Sequence, residues 1–307
     1  MRPANRERDD LCFELHFAAD LAEPGVLDLL QTALVTMVPG FREAVRVLGY
    51  ERDRSAISVD VQTAGALRNA IVAKGTERGT TYKALAAGSP PTHARRLGHA
   101  MVRATPRAYL SIDFDEYVPC QPMGDKWLFS NNVGGTFGPQ RVAGLARKDW
   151  VQALVKGLGD DPRLLWGAAF LRSEFASRNL HSGADGMWAL GRDVRKSLPG
   201  VFWLNVFGSA YVDLIGSERL RNAPAATTNV LGNNFLVRAY AKPEDWSTDL
   251  GISHQRQLVD YLGQRYFYDR SHPDGPTVAP DFGLAELPPR RSFQVVTTDG
   301  KHFTPRS

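Results

Sequence analysis

Residues 11–17 set Leu11, Phe13, Leu15 and Phe17 against Cys12, Glu14 and His16, an alternation that a strand with one buried face satisfies and a helix does not. After Pro24 and Gly25 the period changes. Val26, Leu29, Leu30, Ala33, Leu34 and Met37 recur at helical spacing until Pro39 and Gly40 stop them. The same change returns further on, where Ile57, Val59 and Val61 alternate and Thr63 precedes a helical Leu67, Ala70 and Ile71 that ends at Gly75. Pro90 and Pro91 open a basic helix over 92–104, and 109–114 resume alternation. A similar order begins again after the break at 119–124. The segment 126–138 comes first, then a helix over 147–159 and a long apolar segment over 164–175.

Strands and helices follow one another here without the regular alternation of parallel βαβ units. The expected class is therefore α+β, with mostly antiparallel sheets and packed helices, arranged as one domain over 1–269 whose two similar lobes would meet near residue 122. Residues 270–307, rich in Pro, Gly and Arg, are expected to run as an extended tail, with 292–298 as an edge strand. With 307 residues and 43% hydrophobic content, the chain can bury a substantial core.

Composition removes several function classes. Thirty-seven Lys and Arg against 33 Asp and Glu leave a net charge of +4, too modest to mark a nucleic-acid binder. The basic segment at Arg95, Arg96 and Arg103 lacks the interleaved aromatics that stack on bases. No run of about 18 apolar residues occurs, and the opening 17 residues lack the apolar core of a signal peptide, so a cytoplasmic protein without a membrane span is expected. Cys12 and Cys120 lack the paired spacing of a zinc site and read as reduced, packed thiols.

The apolar run 201–207 ends at Gly208-Ser209, which suggests a strained nucleophile turn. Such a turn needs small residues two positions either side of the serine, and Phe207 and Tyr211 occupy those places. Ser209 reads instead as the cap of a short helix ending at Gly216. The cluster 131–139, with Gly134, Gly135 and Gly138, reads as a glycine-rich loop or bulge, and no Lys-Ser/Thr pair follows to make it a phosphate loop. No two histidines share helical metal-ligand spacing. No catalytic residue, cofactor or metal is expected.

Two acidic stretches remain. Asp113, Asp115 and Glu116 read as a solvated strand edge or a partner-facing patch, and as a metal site only if a second carboxylate strand lies alongside. Glu244 and Asp245 occupy a polar loop, and Ser253 is placed to cap the helix that carries Leu258, Val259 and Leu262.

The segment Leu198–Trp246 resembles the signature of bacterial immunity proteins of the type VI secretion immunity family, related in pattern to the immunity protein 52 group. It shares a Gly, an apolar run with Trp, a Gly-containing turn and a second Gly after a short helix, here Gly200, Trp203, Gly208 and Gly216. Asn205 and Val206 stand where the commoner pattern has Thr and an apolar residue. The resemblance implies a protein that is not an enzyme and that binds and neutralises a cognate toxin encoded nearby, often a nuclease. Asp113, Asp115, Glu116, Glu244 and Asp245 are then the expected partner-facing residues, with no direct contact to nucleic acid or membrane. The alternative is a small-molecule enzyme whose site is assembled from the loops 131–139 and 179–186, bringing Asn131, His181 and Asp185 together. The sequence dictates no oligomeric state.

Overall fold

The structure is a computed structural model that describes residues 10–18, 24–37, 45–48, 56–70, 99–105, 108–116, 131–138, 146–183, 186–189, 194, 196–272, 275–282, 295–296 and 302–303, some of the strands by their backbone alone. Its centre is one ten-stranded antiparallel sheet. The strands are β1 (Leu11–Phe17), β2 (Val45–Leu48), β3 (Ala56–Val59), β4 (His99–Thr105), β5 (Ala108–Glu116), β6 (Asn131–Phe137), β7 (Leu164–Leu171), β10 (Leu204–Phe207), β11 (Thr227–Leu231) and β12 (Asn234–Arg238). Two short pairs stand apart from it, β8 (Leu180–Gly183) with β9 (Gly186–Ala189), and β13 (Val295–Val296) with β14 (His302–Phe303). The sheet order is β11-β12-β10-β7-β1-β6-β5-β4-β2-β3. The α+β class with antiparallel pairing is thus as the sequence implies. Residue 122 lies outside the described residues, and the strands on either side of it, β5 and β6, pair with each other.

Strand β1 occupies the middle of the sheet and its pleat divides the molecule. Leu11, Phe13, Leu15 and Phe17 are all buried on one face. Helix α2 (Arg147–Leu158) packs there against β1 and β7, and α1 (Val26–Met37) packs on α2. Trp150, Val151, Leu154, Val155 and Leu158 form the inward stripe of α2. On α1 the buried stripe runs through Val26, Leu27, Leu30 and Leu34, whereas Leu29 is 37% exposed, a rotation by part of a turn from the expected face. Gln31 fastens α1 to the segment beside it. Its amide donates to the carbonyls of Val61 and Thr63 at 2.8 and 2.7 Å, and its carbonyl accepts from Leu67 N–H at 3.0 Å.

Two sequence readings change in this sheet. The basic helix expected over 92–104 is, over 99–105, strand β4, paired with both β2 and β5; the pairing partners on both sides outweigh a weak local helical pattern. The glycine cluster is a strand as well. Gly134 and Gly135 lie inside β6, opposite Glu14 and Phe13 of β1 and opposite Asp113 and Ile112 of β5. Glycine's low strand propensity made a loop the natural reading, but pairing on both sides holds the backbone extended.

The second face of β7 is aromatic. Phe170 meets Phe175 at 4.9 Å and Phe202 at 5.0 Å between ring centroids, and Trp166 lies 5.6 Å from the His16 ring. Phe175 comes from α3 (Arg172–Asn179) and Phe202 from the connection into β10. The chain then forms α4 (Ser209–Ile215), α5 (Ser217–Arg221) and, after the hairpin β11–β12, α6 (Asp249–Leu262). Beyond residue 270 the described stretch 275–282 is docked: Val278 N–H donates to the Arg265 carbonyl at 2.8 Å, and the Phe282 ring meets Tyr211 edge-on at 5.8 Å. Among the described residues no helix is long and apolar enough to cross a membrane.

Candidate functional site

The four residues that carry the family resemblance are scaffold. Trp203 is buried at 1% exposure, and its carbonyl accepts from Ala239 N–H at 3.0 Å, which continues the pairing beyond the end of β10. Gly216 has φ +99°, a conformation L side chains rarely adopt, where one short helix ends and the next begins. Gly200 sits at φ +150° ahead of the Phe202 turn. Asn205 closes that turn: its carbonyl oxygen accepts from Phe202 N–H at 2.9 Å and its amide donates to the Phe202 carbonyl at 2.8 Å. An Asx side chain of this kind replaces backbone partners that an apolar residue would leave unmet.

Gly208, not Ser209, caps α4, and no side chain hydrogen-bonds the helix start. Ser209 is the first helical residue, so the cap expected of it is absent. Ser209→Ala is accordingly expected to change unfolding free energy by less than about 0.5 kcal/mol, against the roughly 1 kcal/mol of a lost N-cap. Chemical denaturation of the two proteins side by side reads the difference. The cap expected at Ser253 is likewise displaced, because α6 starts earlier: Thr248 is its N-cap, with Oγ1 accepting from Gly251 N–H at 3.0 Å.

A buried polar hub that sequence reading did not find joins three segments. Glu174 of α3 has no solvent exposure. Its Oε1 accepts from Arg178 of the same helix, from the Tyr240 hydroxyl just past β12, and from Gln255 of α6 at 3.4 Å. Arg178 also donates to the Val201 carbonyl and lies 4.9 Å over the Phe202 ring. Burial pushes the Glu174 carboxyl up to about 7, with the Arg178 charge and the Tyr240 hydrogen bond pulling the other way. Burial, with the Glu174 charge behind it, raises Tyr240 too. The Glu174/Arg178 spacing of four was legible as a helical ion pair; its burial depends on Tyr240 and α6, which only the tertiary fold brings in.

The segment 243–250 lies on this scaffold, with Pro243 buried and Trp246 packed against the core. Glu244 keeps 58% of its side chain exposed while pairing with Arg147 of α2 at 3.1 Å. The Asp245 carboxylate accepts from Lys242 N–H at 3.0 Å and so shapes the short 3-10 turn Pro243–Ser247. Thr248 donates to the Asp245 carbonyl at 2.8 Å, and Gly251 presses so closely that an added Cβ would lie 1.9 Å from that oxygen. Just past this turn, as the second residue of α6, Leu250 is 66% exposed, with Ser247, Thr248 and Asp249 exposed before it in the chain.

The other acidic stretch lies inside the sheet. Strand β5 is flanked by β4 and β6, so the edge expected for Asp113, Asp115 and Glu116 is corrected to an interior strand. His99 and Gly134 stand opposite Asp113, and Asn132 opposite Asp115; the neighbouring strands supply no second carboxylate at those positions. The side chains of these three acids, of His181 and of Asn131 lie outside the described residues, as do Asp185 and Cys120. On the next strand but one, Glu14 and His16 are buried 3.7 Å apart. Cys12 is a free thiol held above its usual range by burial. Among the described residues no three His, Cys, Asp or Glu converge to hold a metal.

Neither the protein-family models nor the curated proteins contain a match to this chain. A solved structure is similar along most of its length. It is a Pseudomonas aeruginosa T6SS protein, 10% identical, covering 87% of this chain and 84% of that chain at a TM-score of 0.44.

Proposed function

We propose that this chain is an immunity protein that binds a cognate bacterial toxin and neutralises it by steric occlusion, with no turnover of its own. The observation that carries the reading is Leu250, a large apolar side chain 66% exposed in the first turn of α6, whose start is held by the Thr248 cap and by the close packing of Gly251 on the Asp245 carbonyl. An apolar centre with a polar and charged rim, ordered before contact, is the composition of a protein-binding surface that loses little entropy on docking. Glu244, Asp245 and Asp249 precede it within six residues, Glu244 exposed while paired with Arg147 and Asp249 exposed. That local charge suits a basic surface such as the nucleic-acid groove of a nuclease, although the whole chain is net basic at +4. The resemblance of Leu198–Trp246 to immunity proteins supports the same reading, since this region builds β10 to β12, α4 and α5 and runs into the Pro243–Ser247 turn.

The test is rescue by co-expression. The product of the neighbouring gene is expressed in a sensitive host with and without this chain; growth restored only with it, together with co-purification, is the expected result. Leu250→Lys combined with Glu244→Lys is expected to weaken the complex at least about tenfold, because both substitutions act on exposed residues at the contact. A harmless neighbour, or a toxic one left unrelieved, overturns the reading. Full affinity in the double variant removes this surface from it.

A further inference from the structure

Among the described strands the sheet ends at β11. Strand β11 pairs with β12 alone among the described strands, in the register Thr227–Arg238, Val230–Phe235 and Leu231–Asn234. Thr227, Asn229 and Val230 are exposed, Val230 at 56%. Natural edge strands are guarded by Pro, by charge or by a covering element. The sequence Thr-Thr-Asn-Val-Leu contains no such guard.

The two-residue turn Gly232-Asn233, with Gly232 at φ +55°, closes the hairpin. In a loop of this length the flanking residues Leu231 and Asn234 form a hydrogen-bonded pair. Strict alternation along an antiparallel ladder then leaves the backbone N–H and C=O of Thr228 and Val230 directed away from β12. These groups form a short template for one more strand.

The two ends of β11 carry opposite charge. At the Thr227 end Arg238 stands directly across the hairpin, and its buried Nε makes no hydrogen bond among the described residues. Arg221, whose carbonyl accepts from Thr228 Oγ1 at 3.1 Å, is at the same end, though it is shared with the exposed Glu218 at 3.7 Å. At the Leu231 end sits the exposed Asp160, with a carboxylate oxygen 2.7 Å from where a Cβ on Gly232 would be. Such a strand is complementary to itself when turned end over end.

We propose that β11 pairs with β11 of a second copy of this chain across a two-fold axis, joining the two sheets edge to edge. Antiparallel pairing centred on Asn229 sets Thr228 against Val230 of the other copy, a cross-strand pair of β-branched residues. It also brings the Arg238 end of each copy to the Asp160 end of the other, and the symmetry makes the contact twice. One strand of five residues is a small contact, so the dimer is weak, with a dissociation constant on the order of tens of micromolar. The inference stands apart from toxin binding, which involves the 243–250 segment.

Sedimentation velocity over a concentration series tests it on the full chain without partner. A reversible monomer–dimer equilibrium is expected. Val230→Lys, an exposed change that adds an edge charge, should weaken it at least about tenfold with the fold retained by circular dichroism. Asp160→Arg should weaken it as well, and adding Arg238→Asp to that variant should restore association. If the Arg238 variant fails to fold, Val230→Lys and Asp160→Arg still decide the matter. A monomer throughout the series, or a dimer indifferent to Val230→Lys, overturns the proposal.

Discussion

Glu174→Ala is expected to lower unfolding free energy by about 3 kcal/mol, while Glu174→Gln costs no more than about 1 kcal/mol. The truncation leaves Tyr240 and Gln255 without the acceptor at the point where α3, the end of β12 and α6 meet, and it deprives Arg178 of its partner. Glutamine keeps an acceptor in the same place. The pair also differs with pH. A carboxyl held near 7 when folded and near its ordinary value of 4.5 when unfolded binds more protons in the folded state through that window. Its contribution is therefore present in full below about 4.5, is lost as pH rises to about 7 and changes no further above that. The loss is on the order of 3 kcal/mol, and Glu174→Gln should abolish it. Urea unfolding of wild type and both variants at pH 5 and pH 8 reads each effect; a Glu174→Gln protein with the wild-type pH slope would place the titration elsewhere.

Gly208→Ala is expected to destabilise by about 3 kcal/mol, at the upper end of what overpacking costs. The constraint is contact, since φ at Gly208 is an ordinary −66°. A Cβ there would lie 1.9 Å from the Leu164 carbonyl oxygen and 2.7 Å from that of Leu165. Both are backbone atoms at the start of β7, and Gly208 N–H donates to the Leu165 carbonyl at 3.2 Å, so relief would have to move a central strand. Thermal unfolding followed against Ser209→Ala isolates the effect, because the neighbouring residue is expected to be nearly silent. A Gly208→Ala protein as stable as wild type would mean that β7 yields at its first residues.

Much of this architecture was legible where local pattern and tertiary demand agree. The alternation of 11–17, the helical stripe of 147–159 and the apolar residues of β7 and β10 fold as their periods imply, whereas the late helix expected over 253–267 runs over Asp249–Leu262 and residues 172–175, expected in the apolar run, open α3. Reading failed where a neighbour decides. Gly134 and Gly135 are extended because β1 and β5 hold them on both sides, and 99–105 is a strand because β2 and β5 are there to pair with it. Helix starts slipped for a related reason: Thr248 and Gly208 take the cap positions because the preceding turn and the close approach of β7 fix where the backbone bends. Of the candidate surface, Glu244 and Asp245 were visible as acids. That Asp245 shapes the turn while Leu250 stands exposed just past it follows only from the folded chain.

The position of β1 has a consequence for how the protein is made. It lies between β6 and β7, so Leu11 pairs with Phe137 on one side and Leu171 on the other, more than a hundred residues later in the chain. During synthesis β1 leaves the ribosome long before either partner exists, with its row of Leu11, Phe13, Leu15 and Phe17 uncovered. The middle of the sheet cannot close until β7 has emerged, which makes folding a late, long-range event and leaves a sticky strand waiting in the meantime. A nascent chain stalled before residue 164 would then be the form most in need of a chaperone.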